Sequence, residues 1–338
     1  MRERMTEYIS SLQMDIVSSL EKLDPSAPSF RCDSWDRAEG GSGRSYTFSA
    51  PSRPDSILEK AGVNISMIYG TLPPTAVKQM ATQHSSMSYN STMPHALPFF
   101  AGGVSLVIQP RNPLAPIVHA NYRYFEITET ADHHEESKVL AWWFGGVTDL
   151  TPCYLFEEDV VHFHTTLKAT CDKHGPGLYP AFKKSCDDYF FIKHREEHRG
   201  VGGVRFDDLC DEPHALLSND GTQRPNTAEE IFLFVQDCGN SFLPSYMPIL
   251  QRRHGMGPVT DRMRRWQLIR RGRNVEFNLL YERGTKFGLA TPGVRVENVL
   301  MGMPEVARWE YMCELGRDDD GSEESKMVLV LKNPREWV

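Results

Sequence analysis

An α+β fold built on a mainly antiparallel sheet is what this sequence predicts, from three observations. Strand-like and helix-like runs alternate at irregular spacing, with no repeating βαβ unit. Val104, Leu106 and Ile108 alternate with Ser105, Val107 and Gln109, the period of a strand that buries one face. In Val118–Glu126 the polar residues His119, Asn121 and Arg123 stand two apart, so all three project from one face of a strand. An imidazole, an amide and a permanent cation are thereby presented together. Such a face is either the wet side of an antiparallel sheet or one wall of a site.

The elements follow in chain order. Ile9, Leu12, Ile16, Val17, Leu20 and Leu23 give Met1–Asp24 the apolar stripe of an amphipathic helix. Pro25–Arg53 is poor in aliphatics and rich in Ser, Gly, Asp and Arg, which predicts a loop or partly disordered connector. Strands are expected at Val63–Tyr69 and Val104–Gln109, with a proline-rich link from Pro110 to Pro116. A hairpin-like pairing would then set Ser105 and Gln109 on the face of His119, Asn121 and Arg123. The strand Val139–Phe144 runs through Gly145-Gly146 to Asp149, at the rim of the sheet. Helices are expected at Glu157–Lys173 and Pro180–Arg199, a tight turn at Gly200–Gly203 and a strand at Val204–Leu209. Asp211–Asn226 reads as a surface loop, and Thr227 with Glu230 as a capping box ahead of Ile231–Val235. Strands are expected again at Asn274–Tyr281 and near Lys286–Ala290, then an acidic tail, Gly316–Lys326, before a last apolar segment.

With 338 residues and 40% hydrophobic content the chain can bury a sizeable core. Its 7 cysteines include no C-x-x-C pair, which argues against a zinc knuckle or an iron–sulfur cluster and for a reducing compartment. The cytoplasm is the expected address, and no apolar run is long enough to span a bilayer. A net charge of -8 argues against nucleic acid as a partner. The basic stretch Arg262–Arg273 reads as a solvated helix face and a basic turn. No glycine-rich phosphate cradle occurs in the right context.

Several histidines stand in positions that invite a metal. His164 lines up with Val160, Leu167 and Cys171 on an apolar stripe, the setting of a satisfied core histidine. His194 and His198 have i, i+4 helical spacing, a ligand geometry, in a charged stretch that suggests solvent. His133-His134 reads as surface. Asp149 is either a helix cap or an acceptor for an N–H-rich ligand, while Arg123, Arg273 and Arg295 are candidate carboxylate clamps.

Eight motifs, in order, carry a resemblance. They are Gly103–Ile108, His119–Glu126, Trp142–Gly146, Asp149–Pro152, Asp187–Phe191, Phe206–Leu209, Arg271–Asn278 and Arg308–Tyr311. Together they resemble the oxygen-dependent coproporphyrinogen III oxidase family, from about Ala61 to Val338. The resemblance implies one catalytic domain over 61–338, preceded by an N-terminal helix and flexible connector over 1–60. It implies a large flat antiparallel sheet covered by helices on both faces, in a homodimer formed through about 274–310. The implied reaction converts two propionates of coproporphyrinogen III to vinyl groups in haem biosynthesis, with molecular oxygen as co-substrate and no organic cofactor.

By the same resemblance His119 is the proton donor, and Asp149 is the carboxylate that engages pyrrole N–H groups. Ser105, Asn121, Tyr122, Arg123, Gly293, Val294 and Arg295 are substrate contacts, with Arg123 also catalytic. His164 and His194 match residues assigned to metal in some bacterial members. Three departures stand out. Gln109 replaces a histidine, a poor exchange for a metal site; Val147 replaces a glycine; and the 211–226 loop is long. A metal-dependent oxygenase and a non-catalytic tetrapyrrole-binding protein are the alternatives.

Overall fold

Side-chain alternation decides which way each strand faces, and backbone pairing then joins the strands into one sheet. The first six are β1 (Arg31–Asp36), β2 (Gly41–Ser49), β3 (Leu58–Leu72), β4 (Leu97–Pro110), β5 (Ile117–Thr128) and β6 (Val139–Thr151), each antiparallel to the next. A small ladder of β7 (Phe191–Ile192) and β8 (Glu197–His198) stands apart, and β9 (Gly203–Leu209) closes a seven-stranded sheet beside β6. The computed structural model describes the whole chain except residues 39, 51–52, 54, 82–95, 130–137, 218–222, 291–293 and 318–320. His133, His134 and Gly293 therefore lie outside the described residues.

One face of the sheet is the core. Val104, Leu106 and Ile108 of β4, Ala120, Tyr122 and Tyr124 of β5, and Phe144 and Leu150 of β6 share a buried apolar cluster with six helices. Three of these are α1 (Arg2–Leu23), which supplies Ile9, Ile16 and Leu20, and, later in the chain, α5 (Ala228–Asn240) and α6 (Phe242–Arg253). Between them come α2 (Pro74–Ala81), α3 (Glu157–Asp172) and α4 (Leu178–Tyr189), and the chain ends with α7 (Asp261–Leu280), α8 (Arg283–Ala290), α9 (Val296–Val299) and α10 (Glu323–Lys332). The capping box forms as expected: Thr227 accepts from the Glu230 N–H, and Glu230 accepts from the Thr227 N–H.

The opposite face is covered more sparsely. α7 brings Phe277 against Val147, Cys186, Phe190 and Ile192. The segment around α9 lies across β2–β4, where Ser45 donates to Asn298, Lys60 to the Met303 carbonyl and Gln109 to the Gly302 carbonyl. Met301 fills the space beside Gly62 where a Cβ would otherwise stand. The result is a single α+β domain with an antiparallel sheet between helical layers.

Three expectations change. Pro25–Arg53 is not a connector, because β1 and β2 pair in register with β3, which itself runs across residue 60. Edge strands are held by backbone bonds and need few aliphatics, so β1 carries none of the usual signal. Asn274–Tyr281 is the end of helix α7 and Lys286–Ala290 belongs to α8, not strands. The helix foreseen over Pro180–Arg199 stops at Tyr189; His194 lies in a 3₁₀ turn and His198 in β8, so they share no helical face.

The buried side of α7 explains the second error, since it is built from charge. Arg271 is fully buried and forks onto Glu59 of β3 at 2.8 and 3.0 Å, and Arg264 meets the same carboxylate at 2.7 and 2.8 Å. The Arg262–Arg273 stretch is therefore structural, neither a turn nor a polyanion site. Burial pushes the Glu59 carboxyl up, but the two guanidiniums prevail and bring it down to about 2. A depressed folded value stabilises the protein above the ordinary carboxylate range, and that contribution fades as pH falls from about 4.5 toward 2. Glu59→Gln leaves both arginines without their counter-charge. It should lower unfolding free energy by about 3–5 kcal/mol at pH 7 in urea titrations, and the difference from wild type should shrink on acidification.

Candidate active site

Strand register assembles the polar face. Across β3, β4, β5, β6 and β9, Asn64 pairs with Ser105, Ser105 with Asn121, Asn121 with Val147, and Val147 with Arg205. One row over, Val107, His119, Asp149 and Gly203 stand in line; on the other side come Gly103, Arg123 and Gly145. The expected shared face of Ser105, Gln109, His119, Asn121 and Arg123 is therefore real. Tyr122 departs from it by the same period-two rule, since it points into the core and bonds Thr148 and the Cys238 carbonyl. It cannot line a pocket on the far side of its own strand.

Asp149 sits at the centre. It is 1% exposed, its Oδ1 lies 2.8 Å from His119 Nδ1, and its Oδ2 accepts from Arg199 Nη2 at 2.6 Å. Burial alone would push its carboxyl up, but the Arg199 charge and the His119 bond outweigh burial and hold it below the usual carboxylate range. Both oxygens are thus engaged by the protein. Of this pair His119 is the more accessible, with 20% of its side chain exposed against 2% for Asp149. With Nδ1 on Asp149, the ring presents Nε2 outward and edge-on to Phe190, with centroids 6.3 Å apart.

Arg199 carries no period-based signal, and the sequence reading missed it. Its position comes from the turn that follows it. Val201 donates to the Leu150 carbonyl and Leu150 to the Gly202 carbonyl, each at 3.0 Å, so Gly200–Gly203 lies flush along β6. Gly202 has φ +84°, a conformation that favours glycine. The Arg199 guanidinium is then stacked 3.8 Å over Phe190 and 5.1 Å from Phe277.

Arg123 remains partly exposed. It lies over Gly145, where a Cβ would stand 2.8 Å from its Cζ, and bonds Asn121 at 3.3 Å and Asp207 at 2.6 Å. Arg295 is exposed beside Asp33 of β1, and Val294 is half-buried just before it. Arg273 lies on α7, 3.4 Å from Glu276 and 3.5 Å from Glu197.

The candidate metal ligands, at which no metal was expected, are engaged by the protein. His164 is fully buried, with Nδ1 2.9 Å from the Tyr179 hydroxyl and Nε2 3.1 Å from the Val201 carbonyl; burial pushes its pKa down to about 3. His194 bonds the Tyr281 hydroxyl at 2.8 Å and Glu276 at 2.6 Å. Gln109 spends its amide N–H on the Gly302 carbonyl. In the cluster Glu310, Cys313 and Glu314 both acids are already bonded by Arg265.

A family model described as coproporphyrinogen III oxidase matches residues 4–337. The chain belongs to the coproporphyrinogen III oxidase family. A Drosophila melanogaster protein named "Oxygen-dependent coproporphyrinogen-III oxidase" is 48% identical over 338 residues, all of this chain and 78% of the fly protein. A human protein of that name, marked mitochondrial, is 47% identical over all of this chain and 67% of its own length. "Coproporphyrinogen-III oxidase 1, chloroplastic" of Arabidopsis thaliana is 44% identical over 337 residues, covering 79% of the plant protein. The family match includes α1, β1 and β2, in keeping with their place in the sheet and core.

The Asp149–His119 bond makes a direct prediction for a member of this family. Asp149→Asn keeps the size but lets the imidazole choose its tautomer, so kcat should fall about 10²–10⁴-fold while KM changes far less. Steady-state kinetics decides it; a loss confined to KM would overturn the role.

Proposed function

We propose that this chain carries out the oxygen-dependent oxidative decarboxylation of two propionates of coproporphyrinogen III to vinyl groups, giving protoporphyrinogen IX. For each propionate the side chain loses carbon dioxide and two hydrogens, and molecular oxygen, the co-substrate, is reduced to hydrogen peroxide. The observation that carries the reading is the one face on which His119, backed by buried Asp149, stands beside Ser105, Asn121 and Arg123. Arg123 and Arg295 orient propionates by paired hydrogen bonds. Ser105 and Asn121 offer neutral groups to the pyrroles, and His119 Nε2 handles the proton at the reacting ring. Asp149 and Arg199 hold that imidazole in place from beneath. Gly293 and Val294 complete the substrate contacts in this reading.

In this reading no organic cofactor enters the reaction and no step is assigned to a metal; His164 and His194, the candidate ligands, spend their ring nitrogens on the protein. Coproporphyrinogen III prepared anaerobically and then exposed to air with the enzyme should yield protoporphyrin fluorescence after oxidation. Binding without turnover would instead favour a tetrapyrrole-binding protein. Activity should survive exhaustive chelation; its loss, with restoration by one metal, would favour a metal-dependent oxygenase.

The proposal extends to a homodimer through about 274–310. Leu279, Leu280, Leu289, Val296, Val306 and Trp309 are all exposed there, an apolar density that suits an interface. Sedimentation should give twice the chain mass, and Leu280→Arg with Leu289→Asp should give the monomer. The proposed address is the cytoplasm, a reducing compartment that suits seven free cysteines. The human and plant relatives are named mitochondrial and chloroplastic, so fractionation is the test.

A further inference from the structure

The two arginines expected to take substrate propionates are each already held by an acid of the chain, Arg295 by Asp33 and Arg123 by Asp207. Asp207 has a second arginine at hand. Its Oδ1 accepts from Arg123 at 2.6 Å, while its Oδ2 lies 3.3 Å from Arg205 Nη2. Arg205 is itself fixed, 3.2 Å from the Ser185 hydroxyl and stacked 4.2 Å over Tyr189. The sheet is irregular where β9 meets Phe144 and Gly146, and Asp208 has φ +58° there; its N–H donates to Asp207 Oδ1 at 3.1 Å. The irregularity therefore aims the Asp207 carboxylate between the two guanidiniums. Arg123 has 41% of its side chain exposed, whereas Arg205 shows 16%.

We propose that Arg205 is a positioning residue for substrate binding, receiving Asp207 when a substrate propionate takes its place on Arg123. This rests on the reading above that Arg123 binds a propionate. The physical argument is charge balance. A propionate arriving at Arg123 must displace a carboxylate, and Asp207, with only 21% of its side chain exposed, costs part of the binding energy if displaced without a partner. Asp207 already touches Arg205 through its other oxygen, so a small rotation of the carboxylate completes the exchange. The Asp207 carboxylate thus keeps Arg123 ordered before the substrate arrives, and Arg205 makes its release inexpensive.

The test is a double-mutant cycle with full-length protein, using anaerobic titration of coproporphyrinogen III for Kd and aerobic turnover for KM and kcat. Arg205→Gln should raise Kd and KM about tenfold with kcat within about twofold, and Arg205→Lys should restore most of the affinity. Asp207→Asn, which removes the competitor, should bind more tightly than wild type. In that background Arg205→Gln should have no further effect. An unchanged Kd in Arg205→Gln would overturn the proposal, and so would an equal loss in the Asp207→Asn background, which would mark direct contact or a general field. Should Arg205→Gln fail to fold, Asp207→Asn decides alone, since unchanged or weaker binding overturns the exchange. Wild-type protein that neither binds nor turns over coproporphyrinogen would remove the functional reading itself. Wild-type turnover with unresponsive variants removes only the role of Arg205.

Discussion

Everything on the polar face depends on one carboxylate kept out of water. Asp149 is 1% exposed, a setting that would favour the neutral acid if nothing answered its charge. Arg199 answers it from the turn after β8, and His119 from the neighbouring strand. Removing Arg199 leaves an uncompensated buried anion, while removing Asp149 leaves an uncompensated buried cation stacked on two phenyl rings. The three side chains therefore have little freedom separately. That rigidity gives the imidazole a defined direction, which is what the proton transfer proposed for it would require.

The rows beside this centre divide the work by polarity. Asn64, Ser105 and Asn121 form a neutral line across three strands, whereas Arg123 and Arg205 lie toward β9. Glycine at 103 and 145 keeps the row beneath Arg123 low, and at Gly145 any side chain would collide with the guanidinium. A porphyrinogen has the same division, with pyrrole N–H groups inside and carboxylates at the periphery. Complementarity of this kind orients a ligand more than it adds raw affinity, because every charged contact is made against a desolvation cost.

Much of this was legible in the chain, for reasons that also explain what was not. Period two placed His119, Asn121 and Arg123 on one face, and a short link and an alternating neighbour put Ser105 and Gln109 on the same face; the register that pairs Ser105 with Asn121 came only with the structure. The same rule, applied consistently, would have turned Tyr122 away; the resemblance put it in the site because a motif is a string, and a string does not distinguish faces. β1 was illegible because an edge strand held by backbone bonds has no apolar pattern to read, and its neighbour β2 was hidden by the glycines and serines of Gly41–Ser49. Asn274–Tyr281 looked like a strand because Val275, Phe277, Leu279 and Tyr281 alternate, while the true helical period of α7 is written in Arg270, Arg271, Asn274 and Phe277. Apolar periodicity misses a helix whose buried stripe is partly guanidinium. Arg199 escaped for a related reason, since its role comes from a turn laid against β6 and not from its neighbours in sequence.

That charged helix also ties distant parts of the molecule together. Arg264 and Arg271 fasten α7 to Glu59 of β3, and Arg270 bonds Glu197 of β8 at 2.6 Å, two residues before Arg199. Arg270 Nη2 also reaches the Arg199 carbonyl at 3.4 Å. Farther along, Phe277 supports the Arg199 guanidinium, and the next turn carries the exposed Leu279 and Leu280. One rigid element thus anchors in the sheet, braces the cation that holds Asp149, and ends in the apolar surface proposed as the interface. A helix fixed by buried ion pairs resists sliding, because each pair is satisfied in a single register and every shift strands a charge. Pairing two subunits through its end would therefore stiffen the support of Asp149 without any contact to the substrate.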